Sequence, residues 1–229
     1  MDNSLFIALI VIGLLILPCI VHKIINKCAS QQYLNYKSKC KDYKLTSTVG
    51  DIIYELIRQN NLRLFVEPVK GILADCFDGN TLYLSSMDSR SPISLGIALH
   101  EYGHAISNRD NQSFEEFASI GRYKKLTRFL VCTFIVLLVL QHCIQSEPWH
   151  LIFLMLMIVS IGSFIILKVS VLITEIIATK TALNLLPNYI TDTRIIKLSK
   201  KALNIAFSTY VAEIFADFGN SILFFFARL

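Results

Sequence analysis

The chain has 229 residues, of which 54% are hydrophobic, and its mean hydropathy of +0.54 is high for a soluble protein of that size. The formal net charge of +5 arises from Lys and Arg beside apolar blocks, so it reads as a topology signal and gives no reason to invoke nucleic acid. The six cysteines, Cys19, Cys28, Cys40, Cys76, Cys132 and Cys143, include no C-x-x-C pair, which argues for buried or free thiols rather than a disulfide framework.

Residues 1–22 are expected to form an N-terminal transmembrane anchor. Leu5 to Val21 carries no charge and approaches the ~20 residues that cross a bilayer as a helix. Met1, Asp2, Asn3 and Ser4 before it include no Lys or Arg, and no small-x-small site follows, so an uncleaved anchor is expected rather than a signal peptide. Residues 23–128 then read as an ordinary folded unit. Val49, Ile52, Ile53, Leu56 and Ile57 fall at helical spacing behind the N-cap candidates Ser47 and Thr48, which predicts an amphipathic helix ending near Arg58. Leu64 to Val66 and Gly71 to Phe77 look extended, and Asp78-Gly79-Asn80 is a turn signal before a strand over Thr81 to Ser85. A hairpin is therefore expected there. A second helix is expected from Pro92 to Ser107.

Three further apolar blocks occupy residues 129–229: Phe129 to Ile144, Leu151 to Leu167 continuing past Lys168 to Ile173, and Ile205 to Phe226. Lys23, Lys27, Lys37, Lys39, Lys41 and Lys44 follow the first block. Arg122, Lys124, Lys125 and Arg128 precede the second, and Arg194, Lys197, Lys200 and Lys201 precede the fourth, whereas Gln145 to His150 holds no Lys or Arg. The positive-inside rule then places both basic connections in the cytoplasm and both termini outside. The expected fold is mainly α: a polytopic, multi-pass cell-membrane protein with about four transmembrane helices and a small α+β cytoplasmic unit.

The second predicted helix carries His100-Glu101-Tyr102-Gly103-His104, which matches H-E-x-x-H. Spacing of i, i+4 puts both imidazoles on one helical face, where they can share Zn²⁺, with Glu101 beside the open position as general base. This gives the cytoplasmic unit a zincin-like character. A helix carrying two histidines by coincidence is the plain alternative. A catalytic zinc needs a third protein ligand. His142 and His150 fall on the outer side of the expected topology, and His22 borders the first apolar block. Two acids remain. Glu175 lies where the third block returns to the cytoplasm, and its plain alternative is a solvated charge at a helix end. Glu213, with Asp217, lies inside the fourth block, where an ionisable group is costly, and could equally make an interhelical polar contact.

The stretch from Asp75 to Ser107 and then from Thr174 to Leu186 resembles the YugP-like family of membrane neutral zinc metallopeptidases. The resemblance is carried by Asp75-Cys76-Phe77-Asp78, Leu82-Tyr83-Leu84-Ser85, Gly96-Ile97-Ala98, the HEYGH motif with Ala105-Ile106, Glu175 with Ala178 and Ala182-Leu183, and Thr209-Tyr210-Val211. It covers most of the chain after Leu45. It implies Glu175 as the third zinc ligand beside His100 and His104. The chain departs from the pattern at Cys76, where a His is expected, and at Ile177, where an Asp is expected. The segment Glu213 to Asp217 is also similar to the third-ligand segment of HtpX-like membrane peptidases, which keeps Glu213 as a rival.

Together these features lead us to expect a zinc endopeptidase acting on membrane or membrane-proximal proteins at the cytoplasmic face. Its partners would be a protein or peptide substrate and the lipid bilayer, with no nucleic acid; the sequence leaves the oligomeric state open. The strand Thr81 to Ser85 could pair with an extended substrate or be a purely structural hairpin, and Tyr210 reads first as a plain membrane aromatic and second as a donor to a developing oxyanion. The alternative is a catalytically silent membrane scaffold with a structural zinc. Retention of Glu101 argues against that, because a purely structural site needs no base.

Overall fold

The computed structural model describes residues 3–110, 120–143 and 147–226. In chain order it comprises α1 (Asn3–Lys39), α2 (Val49–Gln59), β1 (Phe65–Pro68), β2 (Cys76–Asp78), β3 (Thr81–Leu84), α3 (Pro92–Asp110), α4 (Ile120–Cys143), α5 (Glu147–Leu185), a 3-10 turn over Leu186–Asn188, and α6 (Thr193–Phe226). The chain divides into two compact units. One is built from residues 26–119 and 172–210, the other from residues 1–25, 120–171 and 211–229. The long helices α1, α5 and α6 each contribute one end to either unit.

In the first unit, α2 starts where its sequence says it should. Thr48 accepts from the Asp51 backbone N–H through its side chain, and the Asp51 carboxylate accepts from the Thr48 N–H, so two otherwise unpaired donors at the helix start are satisfied reciprocally. The apolar face Val49, Ile52, Ile53, Leu56 and Ile57 is buried, as the periodicity predicts.

The hairpin also forms, with Cys76 opposite Tyr83 and Asp78 opposite Thr81. Gly79 holds φ +63° at its turn, a backbone region that costs a side-chain-bearing residue strain. The preceding expectation of extended chain over Gly71 to Phe77 holds only from Cys76, because residues 71–73 are taken up by a bend and turn. β1 adds in parallel to β3, giving the order β1-β3-β2. β3 is thus the central strand, with Leu82 and Leu84 alternating into the core and both of its edges paired. Any extended substrate would have to add to β1 or β2 rather than to Thr81–Ser85.

Helix α3 follows the sheet and packs on β2, β3 and α2. Ile93, Leu95, Leu99 and Tyr102 enter the same core as Ile53, Leu82, Leu186, Ile190 and Leu203. Each such side chain contributes roughly 1.5–3 kcal/mol when removed from water.

In the second unit, Leu137 of α4 packs with Phe153 and Met157 of α5, and the Ser160 hydroxyl donates to the Leu130 carbonyl at 2.7 Å. The mainly α character stands, but the expectation of a polytopic protein with about four transmembrane helices is corrected. Among the described residues one helical stretch, Pro148–Asn188, is long and apolar enough to cross a membrane. The second block lies within α4 and the fourth within α6, and the described residues of neither meet that length and composition. The side chains of Leu5 to Cys19 in the first block lie outside the described residues. No disulfide joins the described cysteines Cys28, Cys40, Cys76 and Cys132.

Candidate metal centre

Each position of His100-Glu101-Tyr102-Gly103-His104 points to a different neighbour because successive helical side chains turn through 100°. Tyr102 faces the core, where its hydroxyl donates to the Leu56 carbonyl of α2 at 3.1 Å and burial pushes its pKa to about 12. This anchors α3 on the side away from the histidines. Gly103 faces α5. A Cβ at this position would sit 2.8 Å from the Ala178 carbonyl oxygen and 2.9 Å from its Cα, so only glycine lets the two backbones approach this closely.

That approach brings Glu175, three residues before Ala178, up to the histidines. One oxygen of Glu175, Oε2, lies 3.0 Å from His100 Nε2 and 3.4 Å from His104 Nε2. The two rings stand edge to face with centroids 4.9 Å apart. One ligand atom from each of the three residues falls within a sphere of contacts no wider than 4.8 Å. The centre is well shielded, with side-chain exposures of 2% for His100, 7% for Glu175 and 12% for His104.

Glu101 leaves α3 toward α6, where the Tyr210 hydroxyl donates to its Oε1 at 3.3 Å. The Tyr210 ring lies 5.9 Å from that of His100. Burial raises the Glu101 carboxyl to about 7; the neighbouring histidines pull it down, and Glu175 and Asp75 add to the rise. Asp75 is itself raised by burial, which is offset in part by donors from Ser85, the backbone N–H at 2.9 Å and the hydroxyl at 2.6 Å. Cys76 stands close enough to Glu101 that, after burial, the Glu101 charge is the next cause raising its thiol.

A family model described as "putative neutral zinc metallopeptidase" matches residues 7–226. The chain belongs to this family. The match extends the resemblance read from the motif to nearly the whole length, including the first apolar block. No match was found among curated proteins or among solved structures.

The donor set suits the metal that the family name implies. Two imidazoles and one carboxylate are the protein ligands of one common class of catalytic zinc sites, which leave the remaining position open. Nothing else of that composition occurs among the described residues. Glu213, the rival third acid, is exposed and belongs to the other compact unit.

Sequence reasoning singled out His100, Glu101, His104, Glu175 and Tyr210, and the structure brings these five into one neighbourhood. It missed Thr179, whose hydroxyl lies 3.2 Å from His100 Nδ1. The signal was present, since Thr179 follows Glu175 by four residues and so shares its helical face. The close passage of Gly103 over Ala178 carried no comparable signal, because it depends on two segments far apart in sequence.

Proposed function

We propose that the protein is a membrane-anchored zinc endopeptidase that hydrolyses peptide bonds of membrane or membrane-proximal proteins. The observation that carries this reading is the convergence of His100, His104 and Glu175 beside a buried Glu101. In this reading the first three residues hold zinc, and Glu101 is the general base.

Bound there, zinc would supply Lewis acidity, polarising the scissile carbonyl and making water acidic enough to attack it at neutral pH. Glu101 accepts a proton from the attacking water and delivers it to the departing amine, so it ends the cycle in the form in which it began. Its raised pKa suits both halves of that exchange, and a dication next to it favours the carboxylate needed at the outset. Tyr210 fixes the Glu101 carboxyl through its hydrogen bond, and its phenol is a candidate donor to developing negative charge. The shielded setting strengthens these interactions by excluding water.

Membrane attachment is supported by the 41-residue stretch Pro148–Asn188. Lys180, Arg194 and Lys197 follow its apolar part, whereas Gln145 to His150 carries no Lys or Arg, so we assign the Glu175 end to the cytoplasmic face. An extended substrate segment would add to the outer edge of β2, the edge strand whose Cys76 lies near Glu101.

The test pairs metal content with turnover in detergent-purified full-length protein. Wild type should carry about one zinc per chain and cleave members of a quenched-fluorescent peptide library, and Glu101→Gln should keep the zinc and lose the cleavage. Zinc-loaded Glu101→Gln that cleaves as fast as wild type would sink the mechanism. Zinc without any cleavage in either form would favour the silent scaffold.

A further inference from the structure

Thr179 is a polar neighbour of the centre that the mechanism above leaves without a task. Its Oγ1 lies 3.2 Å from His100 Nδ1, while the other ring nitrogen of the same histidine, Nε2, lies 3.0 Å from Glu175 Oε2. Glu175 and Thr179 sit one helical turn apart on α5, so a single rigid element addresses both nitrogens of one imidazole. His100 itself is 1% exposed, which leaves no water to take over either role.

An imidazole ligates a metal through whichever nitrogen lacks a proton, and the partner of the other nitrogen decides which that is. A hydroxyl accepting from Nδ1–H keeps the proton on Nδ1 and leaves the Nε2 lone pair facing Glu175 and His104. β-Branching restricts the Thr179 hydroxyl to few rotamers, so the ring plane is fixed along with the tautomer. The close passage of Gly103 over Ala178 sets this reach, since Ala178 is the residue immediately before Thr179.

We propose that Thr179 is a positioning residue of the metal centre: by accepting a hydrogen bond from His100 Nδ1 it locks His100 in the tautomer that presents Nε2 to zinc. This rests on the ligand set of the preceding section. A neutral hydroxyl orients the ring without adding the negative charge that a carboxylate in this role would bring. The metal then keeps more of its electrophilicity than with a carboxylate partner.

The experiment measures zinc affinity by chelator competition on full-length protein in detergent, for wild type, Thr179→Val, Thr179→Ser and Glu175→Ala. Thr179→Val keeps the shape and β-branching but cannot accept, and should weaken zinc binding by about 10–100-fold. Thr179→Ser restores the acceptor and should stay within about 3-fold of wild type. Nitrogen NMR of labelled histidine should show His100 protonated at Nδ1 in wild type and Thr179→Ser and a mixture of tautomers in Thr179→Val. Zinc affinity of Thr179→Val equal to wild type, with Glu175→Ala weakened, would overturn the role of Thr179 and leave the centre standing. Wild type binding zinc no better than Glu175→Ala would overturn the centre, and this inference with it.

Discussion

Two buried charged groups, one in each compact unit, follow opposite designs. In the unit of residues 1–25, 120–171 and 211–229, Lys168 Nζ lies 2.6 Å from Asp217 Oδ2, with side-chain exposures of 5% and 21%. The ammonium also stands 5.5 Å from the centre of the Phe164 ring. There each charge meets its opposite. In the other unit Glu101 and Glu175 are buried together, and among the described residues the basic groups beside them are the two imidazoles. Two carboxylates buried side by side disfavour each other's charge, and burial raises the Glu101 carboxyl to about 7. A set left short of positive charge in this way is one that a cation completes, whereas Lys168 and Asp217 already meet as opposites.

The comparison breaks most decisively at Glu175. Glu175→Ala removes one of three ligands and should reduce bound zinc from about one per chain to under ~0.1 after dialysis, read by elemental analysis. Retention of full zinc occupancy would mean that the acid surplus is not what holds the metal. Glu101→Gln comes next, and it separates the two acids. Zinc should stay, and hydrolysis should fall by about 10²–10⁴-fold, the usual contribution of a general base.

Gly103→Ala tests the geometry that assembles the set. The new Cβ meets the Ala178 backbone at 2.8 Å, so α3 and α5 must separate, at a cost of about 1–3 kcal/mol in stability and with weaker zinc binding. Thermal unfolding of the metal-free protein measures the first effect, and chelator competition the second. Unchanged values for both would show that the helices have room to spare.

The smallest effect is expected at the Lys168–Asp217 pair. Lys168→Met leaves Asp217 without this partner and should destabilise by about 2 kcal/mol, less than for a fully buried pair because Asp217 is partly exposed. Adding Asp217→Leu should recover most of that loss. Zinc content should remain that of wild type in both variants, and a drop would show that the two charged groups are not independent.

Much of the unit that carries the centre was legible in the residues. The apolar period of Val49 to Ile57, the capping residue Thr48 and the Asp78-Gly79-Asn80 turn each act over a few positions, and each produced the expected local structure. The same holds for His100, Glu101 and His104, whose spacing only has meaning on a helix. The resemblance to the metallopeptidase family supplied Glu175, and topology allowed it without choosing it over Glu213. Reading apolar blocks as membrane spans fared worse. Among the described residues only Pro148–Asn188 combines the length and the hydropathy that crossing requires.

The sequence by itself determined the local elements and the pair of histidines, because helical periodicity, capping and turn formation are short-range effects. Tertiary structure alone decided that β3 is central and closed on both sides, that Glu175 meets the histidines, and that Thr179 reaches the far nitrogen of His100. The reach of Glu175 and Thr179 to His100 depends on how closely α3 can pass α5. That distance is set by a missing Cβ at Gly103 against Ala178, two residues 75 positions apart whose meeting no local pattern encodes.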